Sequence, residues 1–104
     1  MSKNFIDNKA FLELLLSTSK KQAVSLLQTT TKEQLLLLSE IFFNILNLPL
    51  PKTARQYVTK KKKLIQRLAS KKTNKSQKLS LIKKHSRFLQ QLLFVLKRQL
   101  NELL

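Results

Sequence analysis

Apolar residues recur at three- and four-residue steps along nearly the whole chain, which is the period of an amphipathic helix. The first predicted helix starts from a cap at Asn4 or Asp7 and runs through Ser17, with Phe11, Leu12, Leu14 and Leu15 facing inward. Ser17-Thr18-Ser19 breaks it, and Ser19 caps a second helix, Lys20 to Gln28, that buries Ala23, Val24, Leu26 and Leu27. Thr29-Thr30-Thr31 is the next break. Thr30 with Glu33 and Thr31 with Gln34 both have the spacing of a capping box, in which each residue bonds the other's backbone N–H. The third helix, Lys32 to about Leu46, is apolar around most of its circumference. Glu33, Glu40, Asn44 and Asn47 form one narrow polar stripe on it, so it is expected to be the central core element.

Leu48-Pro49-Leu50-Pro51 cannot continue a helix, because proline lacks the N–H and restricts the residue before it. Pro51 or Lys52 starts a fourth helix extending to Ser70, with Ala54, Tyr57, Val58, Lys61, Leu64, Ile65 and Leu68 on one face. Lys61 is the flaw in that stripe, with its stem expected along apolar surface and its amine outside. Lys52, Gln56, Lys60, Lys63, Arg67 and Lys71 form a row on the other side. Lys71 to Lys75 reads as a basic turn with Asn74 in the left-handed region. Ser76 then caps a fifth helix, Gln77 to about Lys84, that buries Leu79 and Ile82. A last helix from Ser86 carries a stripe of Leu89, Leu92, Leu93, Leu96, Leu100 and Leu103, and His85-Ser86 leaves its continuity with the fifth open. That leucine face either closes the core over the third helix or serves oligomerisation or a membrane surface flanked by Lys97 and Arg98. The fold expected is all-α, a small bundle of about five to six helices.

Charge divides this pattern in two. Residues 1–51 hold five lysines against four acids, net +1, while residues 52–104 hold sixteen basic residues against Glu102 alone, net +15. From Lys52 to Arg87 there are fourteen Lys or Arg and no acid: Lys52, Arg55, Lys60, Lys61, Lys62, Lys63, Arg67, Lys71, Lys72, Lys75, Lys78, Lys83, Lys84 and Arg87. Such self-repulsion opposes any compact state unless a polyanion neutralises it. A phosphate backbone is the first candidate and an anionic membrane the second. A hydrophobic fraction of 42% separates the chain from disordered basic tails. The organisation expected is one helical domain over 1–104, with a near-neutral bundle (1–48), a proline hinge (49–51) and a basic helical part (52–104).

Other chemistry is sparse. There is no Cys, so disulfides and thiolate metal sites are excluded, and no Gly, which argues against hairpins and phosphate-cradling loops. Glu33 and Glu40 lie about 10 Å apart by helix rise, with no base or metal ligand to join them. His85 among lysines reads as a solvated helix-end residue. Neither catalysis nor a cofactor is expected. The apolar Phe11–Leu16 run is interrupted by Glu13 and lacks a cleavage site, so no secretory signal is read. Leu35–Leu50 is too short and too polar for a membrane span. Tyr57 is the only aromatic in the basic stretch before Phe88, fewer than a platform for unpaired bases normally uses, and Phe42 and Phe43 read as core. Lysine predominates, a point charge suited to phosphate rather than bidentate base readout. Backbone binding with little sequence selectivity is therefore expected, and either DNA or RNA satisfies it. The Lys60–Lys63 run also has the form of a nuclear-import signal.

Two ordered segments carry a family resemblance. One is Leu38-Ser39-Glu40-Ile41-Phe42-Phe43-Asn44-Ile45-Leu46 followed by Leu48-Pro49-Leu50. The other is Lys61 to Lys72, ending Leu68-Ala69-Ser70-Lys71-Lys72, with Gln77-Lys78-Leu79-Ser80-Leu81-Ile82 after it. In order and spacing this resembles the small basic proteins of Maverick/Polinton elements and adintoviruses, over Leu26 to Ile82. The resemblance implies a virion core or condensing protein packaged with double-stranded DNA, located in the virion or host nucleus. Apart from the resemblance, the leucine-rich helices allow homo-oligomerisation and the basic face allows contact with a capsid protein. Many relatives carry a Gly-rich segment like a protease cleavage site after the basic region. This chain has no Gly, which puts such maturation in doubt. A membrane-active amphipathic protein, or a structural protein docking its basic face on an acidic capsid or nucleoprotein surface, are the alternatives.

Overall fold

The computed structural model describes residues 3–103. Those residues form nine helices and no strand: α1 (Lys3–Asp7), α2 (Lys9–Ser17), α3 (Lys20–Gln28), α4 (Lys32–Asn47), α5 (Lys52–Lys60), α6 (Lys62–Ala69), α7 (Lys75–Lys84), α8 (Ser86–Val95) and α9 (Lys97–Leu103). The all-α expectation holds. The number of helices is larger because three expected helices are broken within, at Asn8, Lys61 and Leu96, while His85 separates α7 from α8.

Local chemistry sets most of the boundaries. The Ser19 hydroxyl accepts from the Gln22 N–H (3.2 Å) and starts α3. Of the two candidate boxes before α4, the one at Thr31 forms: Gln34 N–H donates to Thr31 Oγ1 (3.2 Å) and Thr31 N–H to Gln34 Oε1 (3.0 Å). Thr30 is instead buried, its hydroxyl donating to the Leu27 carbonyl (2.8 Å) at the end of α3. A second box starts α7 at Asn74, with Gln77 N–H donating to Asn74 Oδ1 (2.8 Å) and Asn74 N–H to Gln77 Oε1 (3.3 Å). Asn74 is thus an extended N-cap (φ −73°, ψ 165°) rather than a left-handed turn residue, and Ser76 lies inside the helix it was expected to cap. Similarly, Asn4 lies inside α1 and Asp7 ends it, so neither stands at the N-cap of α2.

The glycine-free chain makes these turns without left-handed backbone. No non-glycine residue among those described has positive φ. Thr18, Thr31, Leu48, Ser70 and Asn74 turn the chain in extended conformation. Asn8, Thr29, Lys61, His85 and Leu96 do so with φ between −132° and −91° and ψ between 3° and 45°. None of these conformations requires the missing Cβ that makes glycine special. At Leu48–Pro51 the axes of α4 and α5 turn by 112°.

One hydrophobic core draws on every helix. Phe42, Leu35, Leu37, Leu38, Ile41 and Ile45 of α4 are buried in it with Leu12, Leu27, Ile65, Leu68, Ile82, Leu89 and Leu92. α4 packs on α1, α6 and α7, while α3 and α5 pack on α8. The neutral and basic parts therefore interlock across the proline elbow rather than sitting side by side. A radius of gyration of 12.4 Å is that of a compact chain of this length, about 13 Å, so the basic part is folded into the body.

Several facing assignments change. Leu14 is exposed, and Val24, Leu26 and Leu79 are half-buried. Phe43 is 56% exposed and, with Leu36, shares the solvent face of α4 with Glu33 and Asn47. The side chain of Leu103 lies outside those described.

Candidate functional site

The acid-free stretch maps onto α5, α6, the α6–α7 turn, α7 and the start of α8. Twelve of its fourteen cations are exposed: Lys52, Arg55 and Lys60 on α5; Lys62, Lys63 and Arg67 on α6; Lys71 and Lys72 in the turn; Lys75, Lys83 and Lys84 on α7; Arg87 on α8. The single straight row expected along one helix is not present, because the helix breaks at Lys61 and ends at Ala69. The break lets α5 pack on α8 while α6 packs on α4. Cations are thereby spread over several short helices. Arg55 also donates to the Leu50 carbonyl (3.2 Å), tying α5 to the proline elbow.

Lys78 leaves the site. Only 8% of it is exposed, and its ammonium donates to Ser39 Oγ of α4 (3.2 Å). Burial lowers its pKa from the ordinary lysine value. The periodicity explains this placement in retrospect: Lys78 is four residues before Ile82, on the face α7 turns to the core.

Lys61 also departs from the expectation of an outward amine. Its ammonium lies 3.4 Å from His85 Nδ1 and 5.0 Å from the centre of the Phe88 ring, and Phe88 stands 6.4 Å from Tyr57 in a tilted pair. With Lys61 charged, it donates to a neutral imidazole, and the ring face of Phe88 adds a cation–π attraction. His85 is half-buried rather than solvated, at the break between α7 and α8. Desolvation, then Lys61 and Lys84, push its pKa below the ordinary histidine value. The Lys61 flaw in the apolar stripe was the sequence signal for this cluster. Its partners, over twenty residues away, had no local signal.

The helix starts add to the positive field. α5, α6, α7 and α8 have no acid in their first turns, whereas Lys52, Lys62, Lys63, Lys75 and Arg87 stand there. Cations at a helix N-terminus oppose the macrodipole, an arrangement that a bound anion relieves. A resolved ion pair, Lys9–Glu13 (3.8 Å), lies on α2, outside this surface.

Among the described residues, no three His, Asp or Glu side chains are placed to share a metal ion. No single helix among the described residues is long and apolar enough to cross a membrane. Leu89, Leu92, Leu93, Leu96 and Leu100 are buried, so the leucine face on which the membrane and oligomerisation expectations drew is occupied by the core. Comparison with protein-family models, curated proteins and solved structures gave no match.

Proposed function

We propose that this protein is a non-enzymatic, sequence-tolerant nucleic-acid-binding protein that grips the phosphate backbone, with duplex DNA favoured. The observation that carries the reading is the exposure of twelve cations from one acid-free stretch, ten on helices anchored in the core and two in the turn between α6 and α7. Holding them in place costs self-repulsion, and the uncompensated helix starts add to it. A phosphate chain offsets both. The abundance of lysine and the irregular spread across short helices suit phosphate contacts better than base readout. Together with the Maverick/Polinton-type segment order, this supports a role as a core or condensing protein of packaged viral-type DNA.

The test is equilibrium binding of the full chain to duplex DNA, single-stranded RNA and anionic vesicles at matched ionic strength. Tightest binding to duplex DNA, weakened strongly by salt, is expected. Preference for vesicles would overturn the reading in favour of a membrane surface. Failure to bind either nucleic acid, with a discrete stoichiometric complex on an acidic protein, would favour the docking alternative.

A further inference from the structure

The fold assembles an aromatic cleft that no single segment of the sequence contains. It is an open depression between α5 and α8, bordered also by the α2–α3 turn and the start of α3. Tyr57 of α5, Gln90 and Phe94 of α8, Thr18 of the turn and Lys20 of α3 line it. Phe94 is 65% exposed, although a core that takes Leu92 and Leu93 lies beside it. Tyr57 makes a tilted ring pair with Phe88, whose face meets the Lys61 ammonium. The Gln90 Oε1 atom is buried without a hydrogen-bond partner, a state that desolvation makes unfavourable.

The cleft also adjoins the cationic surface. Arg87, Gln91 and Phe94 are exposed at four- and three-residue steps along one face of α8. Arg87 is the last cation of the acid-free stretch, and Phe94 lies about 10 Å farther along the helix. Lys20 supplies a second cation at the rim. A flat apolar ring with hydrogen-bonding edges, linked to phosphate, satisfies each of these features together. A nucleobase has that form, and only when unpaired can it leave its stack to enter.

We propose that the cleft between α5 and α8 takes an unstacked nucleobase of a single-stranded nucleic acid. Phe94 and Tyr57 provide the ring contacts, the Gln90 amide bonds a base edge, and Lys20 and Arg87 meet the flanking phosphates. The proposal rests on the phosphate-binding reading and adds a mode that intact duplex cannot use.

Tyr57 is the only tyrosine and there is no tryptophan, so tyrosine fluorescence reports on this one residue of the cleft. The experiment titrates the full chain with a short single-stranded DNA and with the blunt duplex of equal length, at one salt concentration. The single strand is expected to quench Tyr57 and the duplex is not. Phe94→Ala and Gln90→Leu, each checked for helicity by circular dichroism, are expected to lose about tenfold in single-strand affinity, with duplex affinity unchanged. Equal quenching by both nucleic acids, or unchanged single-strand affinity in folded Phe94→Ala, overturns the cleft while salt-dependent duplex binding stands. Absence of salt-dependent binding to either nucleic acid overturns both readings.

Discussion

Raising salt should weaken duplex binding by orders of magnitude, and the size of the effect follows from the dimensions of the surface. The molecule measures 31 × 28 × 27 Å. A duplex laid across such a face presents about 18 phosphates at one charge per about 1.7 Å of axis, roughly half of them turned toward the protein. Twelve cations are exposed from α5 to α8, against about nine phosphates turned toward the protein, so neutralisation of about six to eight is expected. The slope of log affinity against log salt is then about −5 to −7, a loss of about 10³- to 10⁴-fold between about 50 and 200 mM. Fluorescence anisotropy of a labelled duplex across a salt series measures it. Replacing Lys62, Lys63 and Arg67 by Gln should make the slope shallower by about 2.7. Lys78→Met is the internal control, because a buried ammonium bonded to Ser39 releases no counterion from DNA. A loss below about tenfold across that salt range would refute phosphate neutralisation as the mechanism. So would a Lys78→Met slope change equal to that of an exposed lysine.

Further outcomes follow from the helix starts, the core and His85. Asn74→Ala and Thr31→Ala should each cost about 1 kcal/mol, lowering the calorimetric Tm by about 4–8 °C, while Ser76→Ala should stay within about 0.5 kcal/mol. Phe42→Ala should cost about 3–5 kcal/mol, a large share of a small domain's stability, read by urea denaturation. The neutral form of His85 is favoured by folding, so the unfolded chain binds the extra proton first. Its contribution is fully present above pH 6.5 and is lost as pH falls toward the depressed folded value. Urea midpoints should therefore drop on acidification below pH 6.5, and His85→Gln should flatten that part of the profile.

The sequence carried the helical class and the central place of α4 in the core, because a strong apolar period survives any detail of packing, but not the exposure of Phe43, since α4 is apolar around most of its circumference. It carried the starts of α3 and α4 through Ser19 and Thr31, where the cap is a local interaction. It left the junction at His85 open and did not show the break at Lys61, where α5 and α6 choose different partners, α8 and α4. Asn74 was misassigned for a related reason. Asn tolerates the left-handed region, but an extended N-cap closed by Gln77 supplies the same change of direction. Within the charged stretch, composition identified the cations but could not separate Lys78 from its neighbours without knowing which face of α7 meets Ser39. Phe94 was missed because its neighbours in the cleft, Thr18, Lys20 and Tyr57, are remote in sequence.

The helices that hold the charge have a consequence for how this surface can evolve. α5, α6 and α7 contain nine, eight and ten residues, shorter than the roughly 12–15 needed for a helix to persist alone in water. Like charges along them lower that persistence further. The array therefore has no shape of its own: α4 and α8 impose it. Excised from that scaffold, Lys52 to Arg87 would be a loose polycation with the same charge and none of the spacing. Substitutions in the apolar interior can thus shift the spacing of these charges without changing their number.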